Sequence, residues 1–130
     1  MTGPVPARRR LGTAGEGHAR RYLEALGYRY VAAQWRGARC EIDLVMWDRN
    51  ELVFVEVKTR RGEGSGRAAE SVSDRQIRAL IRAATTYVEG VAETGLDEPV
   101  WRIDLIAVTV STSGRIADVT HVENAFGIDS

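Results

Sequence analysis

The sequence contains few residues that could build a disulfide or a structural zinc site. Its 130 residues include one cysteine, Cys40, and two histidines, His18 and His121. One cysteine excludes a disulfide within the chain, and these three side chains fall short of the four Cys and His ligands of a structural zinc site. No run of apolar residues approaches the roughly 18–20 that a membrane span needs. The first residues also lack the apolar segment typical of a signal peptide, so we expect a cytoplasmic protein.

Lysine is also almost absent, because the chain has 17 arginines and a single lysine, Lys58. Arginine stays protonated and fork-shaped, whereas lysine is compact and its pKa is more readily tuned. The formal net charge is zero, but residues 1–82 carry 16 basic against 10 acidic side chains and residues 83–130 carry 2 against 8. The basic part could face a polyanion. Alternatively, the two parts neutralise each other in the fold.

Length and hydrophobic periodicity predict one α/β domain. A chain of this length can bury a substantial core. Apolar periodicity predicts helices over 13–26 and 74–92, with Ser73 as the N-cap of the second. Alternating and apolar runs predict five strands, over 28–35, 40–47, 51–58, 100–110 and 115–122. The order α-β-β-β-α-β-β indicates a mixed central sheet flanked by helices.

The ends of the chain are expected to lie outside that domain. Residues 1–11 contain Arg8-Arg9-Arg10 and predict a flexible basic arm, which could bind DNA or could have no role. We place the domain at residues 12–123 and a tail at residues 124–130.

The segment 41–60, EIDLVMWDRNELVFVEVKTR, places charges inside two hydrophobic strands. If the hairpin turn is centred on Arg49-Asn50, opposite positions sum to 99. This register places Asp43 across from Glu56 and Glu41 across from Lys58.

Each strand of this hairpin has two faces. We expect one face to be aliphatic and to form core, with these members: Cys40, Ile42, Leu44, Met46, Val53, Val55 and Val57. The other face is apolar near the turn and charged at the far end. Coverage of both faces is typical of strands in the centre of a sheet.

Two carboxylates opposed at the far end of the hairpin would repel each other. At ~5 Å and an effective dielectric constant of about 20, the repulsion is roughly 3 kcal/mol. A proton or a bound cation relieves it, and hard oxygen ligands suit Mg²⁺ or Mn²⁺. The alternative is a partly exposed hairpin end with an ordinary ion pair between Glu41 and Lys58.

Four motifs in order resemble a known family. They are Gly15-Glu16 with Ala19, Tyr22-Leu23 and Gly27-Tyr28; then Glu41-Ile42-Asp43-Leu44; then Phe54 to Arg60, FVEVKTR; then Arg102-Ile103-Asp104. Over residues 12–110 the chain resembles the YraN-like family of uncharacterised bacterial proteins. Asp43, Glu56 and Lys58 also resemble the PD-(D/E)xK nuclease signature, which implies a restriction-endonuclease-like αβββαβ core similar to that of archaeal Holliday-junction resolvases.

The resemblance implies a metal-dependent nuclease that hydrolyses phosphodiester bonds in DNA, with branched or damaged DNA as candidate substrates. Asp43 and Glu56 would hold Mg²⁺ or Mn²⁺ together with the backbone carbonyl of Val57. Lys58 would position a water molecule or stabilise charge that develops on the phosphate. Resolvases act as dimers, so a homodimer is also expected.

Three further polar residues are candidates for the site. By resemblance, Glu16 would support a second metal or its water; alternatively, it is a first-turn glutamate favoured by the helix dipole. Glu41 is either an extra ligand or the partner of Lys58, and Gln76 would approach the site. The sequence departs from the nuclease pattern at Ile42, where a proline usually precedes the aspartate. It also departs at Cys40, usually glycine, and at Arg75-Gln76, where the family commonly has a lysine.

Six arginines are candidates for contact with DNA phosphates: Arg60, Arg61, Arg67, Arg75, Arg78 and Arg82. The first three lie in a Gly-rich loop predicted over residues 60–69, and the others form a stripe opposite the apolar face of the second helix. The alternative is a solvated helix face. Arg102 and Asp104 are expected to be structural, and the histidines show no partner spacing.

Two hypotheses compete with the nuclease. One is a non-catalytic nucleic-acid-binding or assembly protein that retains the fold. The other is a structural module whose hairpin carboxylates are only surface charges.

Overall fold

The computed structural model describes residues 7–61 and 68–127, and the side chains of residues 14–61 and 70–127. It has two α-helices, α1 (Ala7–Ala25) and α2 (Asp74–Glu93). Its five strands are β1 (Arg29–Gly37), β2 (Cys40–Asp48), β3 (Glu51–Arg61), β4 (Val100–Val110) and β5 (Ile116–Val122). A short 3-10 helix, Ala68–Ser71, precedes α2. The predicted α/β class and the order of helices and strands are confirmed.

The strands form one mixed sheet in the order β1-β2-β3-β4-β5. Neighbours are antiparallel except β3 and β4, which are parallel and paired from Glu51↔Val100 to Arg61↔Val110. Parallel neighbours need a crossover connection, and α2 lies in that connection. In the strand order given above, β3, which carries Glu56 and Lys58, is the central strand.

The ends of several elements differ from the predicted boundaries. Helix α1 begins at Ala7, so residues 7–11 of the predicted basic arm are helical, while residues 1–6 lie outside the described residues. Strand β3 continues to Arg61 and includes two residues expected in the Gly-rich loop. The amide of Ala125 donates to the carbonyl of Ile103 at 2.9 Å, which attaches the start of the predicted tail to β4.

The core lies on both faces of the sheet. On one face, Ala19 and Leu23 of α1 pack against aliphatic residues of β2 and β3, including Leu44 and Val55. On the other face, α2 packs its buried residues Leu80, Ala83, Ala84 and Val88 against a cluster that includes Phe54. Burial of each large aliphatic side chain contributes roughly 1.5–3 kcal/mol, and the two layers fix the helices relative to β3.

A partly buried arginine holds the turn end of the sheet together. The guanidinium of Arg102 donates to Asp104 Oδ1 at 2.9 Å, Asp48 Oδ2 at 3.0 Å and the Tyr28 hydroxyl at 2.7 Å, and it also bonds Glu51. Asp104 has no exposed surface. The structural role expected for Arg102 and Asp104 is therefore confirmed.

His121 belongs to the same network, although the sequence pattern assigned it no partner. Its Nε2 lies 2.8 Å from Asp104 Oδ2, and its ring packs edge-on against Tyr22 and Tyr28. The Asn124 amide donates to the other oxygen of Asp104 at 3.0 Å. The hydrogen bonds from His121, Arg102 and Asn124 keep the pKa of Asp104 below its usual range, against the larger, opposite effect of burial.

Gly15 allows α1 to approach β3 closely. A Cβ atom at this position would overlap the Oγ1 of Thr59 and lie 3.1 Å from its Cβ. The close approach brings the next residue, Glu16, to the sheet at the end where β3 carries Glu56 and Lys58.

We expect Gly15→Ala to destabilise the protein, because a methyl group in this contact overpacks it at a cost of about 1–3 kcal/mol. Gly17→Ala is the matched control on the same helix, since its Cβ would meet only the Arg21 side chain at 3.5 Å. The control should gain roughly 0.5–1 kcal/mol from helix propensity. Urea denaturation of both variants measures the difference, and equal stabilities would contradict the close packing.

Candidate functional site

The candidate site lies where β2 and β3 separate. Their pairing runs from Asp48↔Glu51 to Leu44↔Val55, so opposite positions sum to 99 as predicted. The register ends there, and the amide of Val57 donates to the side-chain Oδ2 of Asp43 at 2.8 Å. The Asp43 carboxylate thereby joins the two strands at the point where their main chains part.

Beyond this point β2 does not keep the predicted alternation of faces. Leu44 packs in the core on the α1 face, but Ile42 packs in the core on the α2 face, with Cys40 against it. The prediction that Cys40 and Ile42 share the aliphatic face with Leu44 is therefore wrong. Alternation assumes a regular strand, whereas loss of pairing with β3 lets the end of β2 twist.

The predicted pairing of Asp43 with Glu56 lies one residue beyond the observed β2–β3 register, but the two carboxyl groups are close enough for the charge of Glu56 to act on Asp43, and we refer to them as the carboxyl pair. Glu56 is buried, with 7% of its surface exposed. Burial raises the pKa of Asp43 to about 8, and the negative charge of Glu56 adds to this effect. Burial also raises the pKa of Glu56 to about 7, although the positive charge of Lys58 acts in the opposite direction. Near neutral pH the metal-free pair therefore retains protons, as expected for repelling carboxylates that have no cation.

Two side chains contact Glu56 from different elements. Lys58 Nζ lies 3.7 Å from Glu56 Oε1. Gln76 Nε2 donates to the same oxygen at 3.2 Å. The first turn of α2 brings Gln76 there, because Ser73 caps that helix and its Oγ accepts from the Gln76 amide at 3.1 Å. The predicted N-cap and the predicted approach of Gln76 are both confirmed.

The expected ion pair between Glu41 and Lys58 is wrong. Glu41 Oε1 instead lies 3.9 Å from Arg36 Nη2, a residue of β1 that is its partner in the sheet. The twisted end of β2 follows β1 rather than β3. The ion pair of Lys58 is instead with Glu56.

Glu16 faces the site from α1, and because that helix begins at Ala7 it is not the first-turn glutamate of the alternative interpretation. Burial raises the pKa of its carboxyl group, a hydrogen bond from Gln34 acts in the opposite direction, and Glu41 and Asp43 are also close enough to act on it. Gln34 Nε2 donates to Glu16 Oε2 at 3.0 Å. The end of the sheet thus gathers four carboxyl groups from α1, β2 and β3.

Most of the arginines predicted to contact phosphate surround this end. Arg60 and Arg61 lie at the end of β3 beyond Lys58. Arg75, Arg78 and Arg82 are exposed along α2, on the side opposite its buried residues. Arg67 and the side chains of Arg8, Arg9 and Arg10 lie outside the described residues.

Cys40 lies beside the carboxyl pair rather than deep in the core. Burial raises the pKa of its thiol, as do the negative charges of Glu56 and Asp43, whereas the positive charge of Arg82 lowers it. These interactions place Arg82, half-way along α2, on the same side of the sheet as the site.

Sequence reasoning missed three residues near the site: Gln34, Arg36 and Arg39. Arg36 ends β1, and Arg39 lies in the turn to β2 with a positive φ of 61°. That turn is at the same end of the sheet as Asp43, so hairpin connectivity could have found both arginines. Gln34 carried no such signal, because nothing in its residue type predicts its contact with Glu16.

The site offers carboxylate and carbonyl oxygens, which are the donors that Mg²⁺ prefers. Within the described residues, no three His, Cys, Asp or Glu side chains are placed to hold one ion together. Mg²⁺ is commonly held by one or two carboxylates, with water and substrate oxygens completing its shell. Asp43, Glu56 and the carbonyl of Val57 fit that pattern, and Glu16 would act through water.

Fold and site together define a class: an α/β protein that gathers carboxyl groups, of which Glu56 is buried, and a lysine at the end of a central β-hairpin. The model of "Uncharacterised protein family UPF0102" matches residues 15–108. The chain belongs to this family, which confirms the resemblance to YraN-like proteins.

Curated relatives match over nearly their full lengths. A UPF0102 protein of Chlorobaculum parvum is 42% identical over 123 residues, covering 89% of this chain and 91% of the relative. One of Roseiflexus castenholzii is 38% identical over 125 residues, 96% of this chain and 97% of the relative. One of Symbiobacterium thermophilum is 42% identical over 118 residues, covering 91% of this chain and 97% of the relative. Neither helix that the structure describes is long and apolar enough to cross a membrane.

We expect the stability of the metal-free protein to fall as pH rises from about 4 to about 8. Asp43 is protonated in the folded state up to about pH 8 but ionises from 3.8 in the unfolded chain. Below about pH 4 Asp43 is protonated in both the folded and the unfolded state, so it does not make stability depend on pH. Between about pH 4 and about pH 8, ionisation of Asp43 in the unfolded chain progressively lowers the free energy of unfolding. Thermal denaturation in EDTA at about pH 5 and about pH 8 measures this fall.

Asp43→Asn keeps an oxygen to accept from the Val57 amide but cannot ionise. The variant should therefore show a smaller fall and a higher Tm than the wild type at about pH 8. Asp118→Asn, at an exposed position on β5, is the control and should retain the full fall. An unchanged fall in Asp43→Asn would contradict the raised pKa.

Proposed function

We propose that the protein is a Mg²⁺- or Mn²⁺-dependent nuclease that hydrolyses phosphodiester bonds in DNA. The observation that carries the proposal is the convergence of Asp43, Glu56 and Lys58 where β2 and β3 separate. A buried and a partly buried carboxyl group with raised pKa values are costly to a fold unless they serve a ligand. A divalent cation is the ligand that replaces their protons and removes their repulsion.

The chain supplies the ligands for that cation from the hairpin itself. Asp43 and Glu56 would hold it with their carboxylates, and Val57 with its backbone carbonyl. When bound, Mg²⁺ or Mn²⁺ polarises a phosphate and lowers the pKa of a coordinated water molecule. Hydrolysis adds water to phosphorus and breaks one phosphorus–oxygen ester bond, and the departing alkoxide takes up a proton.

The remaining side chains orient groups and balance charge. Lys58, already 3.7 Å from Glu56, is placed to stabilise negative charge that develops on the phosphate. Gln76 fixes the orientation of Glu56 by donating to it. Glu16 faces Asp43 from the other side and would orient water.

A DNA substrate is supported by the basic residues around this end of the sheet. Arg60 and Arg61 follow Lys58 on β3, and Arg75, Arg78 and Arg82 lie on α2, the helix whose Gln76 contacts Glu56. Arginine binds phosphate with a planar fork of donors, and a set distributed around the site can follow a strand on both sides of the reacting phosphate. The resemblance to junction resolvases adds branched DNA as substrate and a homodimer as the assembly.

We expect the protein to cut DNA in Mn²⁺ and to lose cutting on Asp43→Ala and on Lys58→Met. Asp43→Ala should also abolish Mn²⁺ binding, whereas Lys58→Met should keep binding of both Mn²⁺ and DNA and lose about 10²-fold or more in rate. The assay compares labelled single-stranded, duplex, flapped and four-way-junction DNA in Mn²⁺ and in EDTA.

Asp118→Ala, an exposed carboxylate on β5, is the matched control and should cut like the wild type. Asp43→Asn, which preserves the acceptor for Val57, separates loss of a ligand from loss of fold. Equal cutting by wild type and Asp43→Ala would indicate a contaminating nuclease, and full activity of Lys58→Met would overturn the role of Lys58.

The second candidate is a non-catalytic protein that binds nucleic acid. It is favoured by two observations: the lysine already partners Glu56, and one oxygen of Asp43 is already bonded to Val57. A protein of this kind would bind DNA without cutting any of the four substrates in Mn²⁺.

Both candidates require the arginines of α2 to contact phosphate. Combining Arg75→Ala with Arg78→Ala should weaken duplex binding and reduce the slope of log affinity against log salt by roughly 0.9 for each phosphate that is no longer neutralised. Arg29→Ala is the control, because Arg29 pairs with Trp47 at the opposite end of the sheet. Titration of labelled DNA at several salt concentrations measures both. An unchanged slope in the double variant would identify this surface as a solvated helix face.

A further inference from the structure

Gln34 has a backbone conformation that residues other than glycine rarely adopt. Its φ is 52°, in the left-handed region, although it lies inside strand β1. Its neighbours Ala33 and Trp35 pair with Leu44 and Ile42, so the register places Gln34 beside Asp43. Residues held in this region cost conformational free energy and persist where the surroundings impose them, most often at functional sites.

The side chain of Gln34 contacts the candidate site. Its Nε2 donates to Glu16 Oε2 at 3.0 Å, which joins the edge strand to α1. The contact mirrors that on the other side of the sheet, where Gln76 Nε2 donates to Glu56 Oε1 at 3.2 Å. Each of these two glutamates is thus oriented by a neutral amide carried on a different element.

A neutral donor suits a carboxylate that serves a cation. An amide fixes the orientation of the carboxylate through a hydrogen bond, but unlike lysine or arginine it adds no positive charge that would compete with the ion. Hydrogen-bonded partners of this kind commonly change metal affinity by about 10–100-fold when they are removed.

We propose that Gln34 is a positioning residue: its left-handed backbone turns the amide toward Glu16 and holds that carboxylate in the orientation that serves the bound cation. The proposal rests on the proposed metal-dependent function. The competing explanation is that the irregular backbone only protects an exposed edge strand from pairing with another chain. In that case the amide itself has no role.

Glycine at position 34 separates these explanations, because it adopts a positive φ without strain and has no amide side chain. Gln34→Gly should fold with an unchanged or higher Tm and yet lose about tenfold or more in Mn²⁺ affinity by calorimetry. Gln34→Asn, which tolerates the left-handed region and keeps an amide, should recover part of that loss. Ala33→Gly is the matched backbone control and should bind Mn²⁺ like the wild type.

A double-mutant cycle tests whether Gln34 acts through Glu16. In a Glu16→Ala background, adding Gln34→Gly should cause no further loss of Mn²⁺ affinity, because the carboxylate that it positions is absent. Additive losses would overturn the proposal. So would wild-type affinity in Gln34→Gly alone.

A readout that needs no metal distinguishes failure of this proposal from failure of the proposed function. The side-chain amide resonances of Gln34, assigned by their absence in Gln34→Gly, should shift in Glu16→Ala in the metal-free protein. If they do not shift, the positioning role is wrong whatever the metal data show. If they shift but the wild type binds no Mn²⁺, the contact between Gln34 and Glu16 is confirmed. The metal-dependent function, and with it the proposal that this contact positions a carboxylate for a cation, is then overturned.

Discussion

The hydrogen bond from the Val57 amide to the Asp43 carboxyl group is the interaction on which the site depends. It takes over where the main-chain pairing of β2 and β3 stops at Leu44 and Val55. By holding Asp43 between the parting strands, it keeps this group within range of the charge of Glu56. A hydrogen bond to the charged form lowers a pKa, yet burial and repulsion outweigh it here. The geometry of the site is thus fixed, while its carboxyl groups keep protons in the metal-free protein.

The sequence was sufficient to predict the register of β2 and β3 because two independent patterns agreed. The turn at Arg49-Asn50 and the apolar runs on either side allow one register, and a slip by one residue would have exposed the core face. The cap at Ser73 similarly placed Gln76 in the first turn of its helix. These are local rules, and they hold wherever backbone geometry is regular.

The same rules failed where the geometry is irregular or the contact is distant. Ile42 packs on the face opposite to the predicted one because β2 twists where its pairing with β3 ends. No residue type in the sequence marks that position. The left-handed φ of Gln34 could not be predicted either, since glutamine has no preference for that conformation. The network around Arg102 joins positions up to 74 apart in sequence, so it follows in part from the parallel register of β3 and β4, which local patterns do not determine.

That parallel register has a consequence for how the chain folds. Strands β1, β2 and β3 pair through short turns, whereas Glu51 pairs with Val100, 49 positions later. Closing so long a loop costs chain entropy before any contact compensates for it, and slow folding steps are commonly of this kind.

The bond between Asp43 and Val57 spans only 14 positions, so the hairpin can form it early in folding. Burial of Glu56 comes later, when α2 packs against the sheet and Gln76 reaches this residue. During synthesis, the carboxyl pair would therefore exist first as an open, hydrated hairpin and become a desolvated site only after α2 has packed.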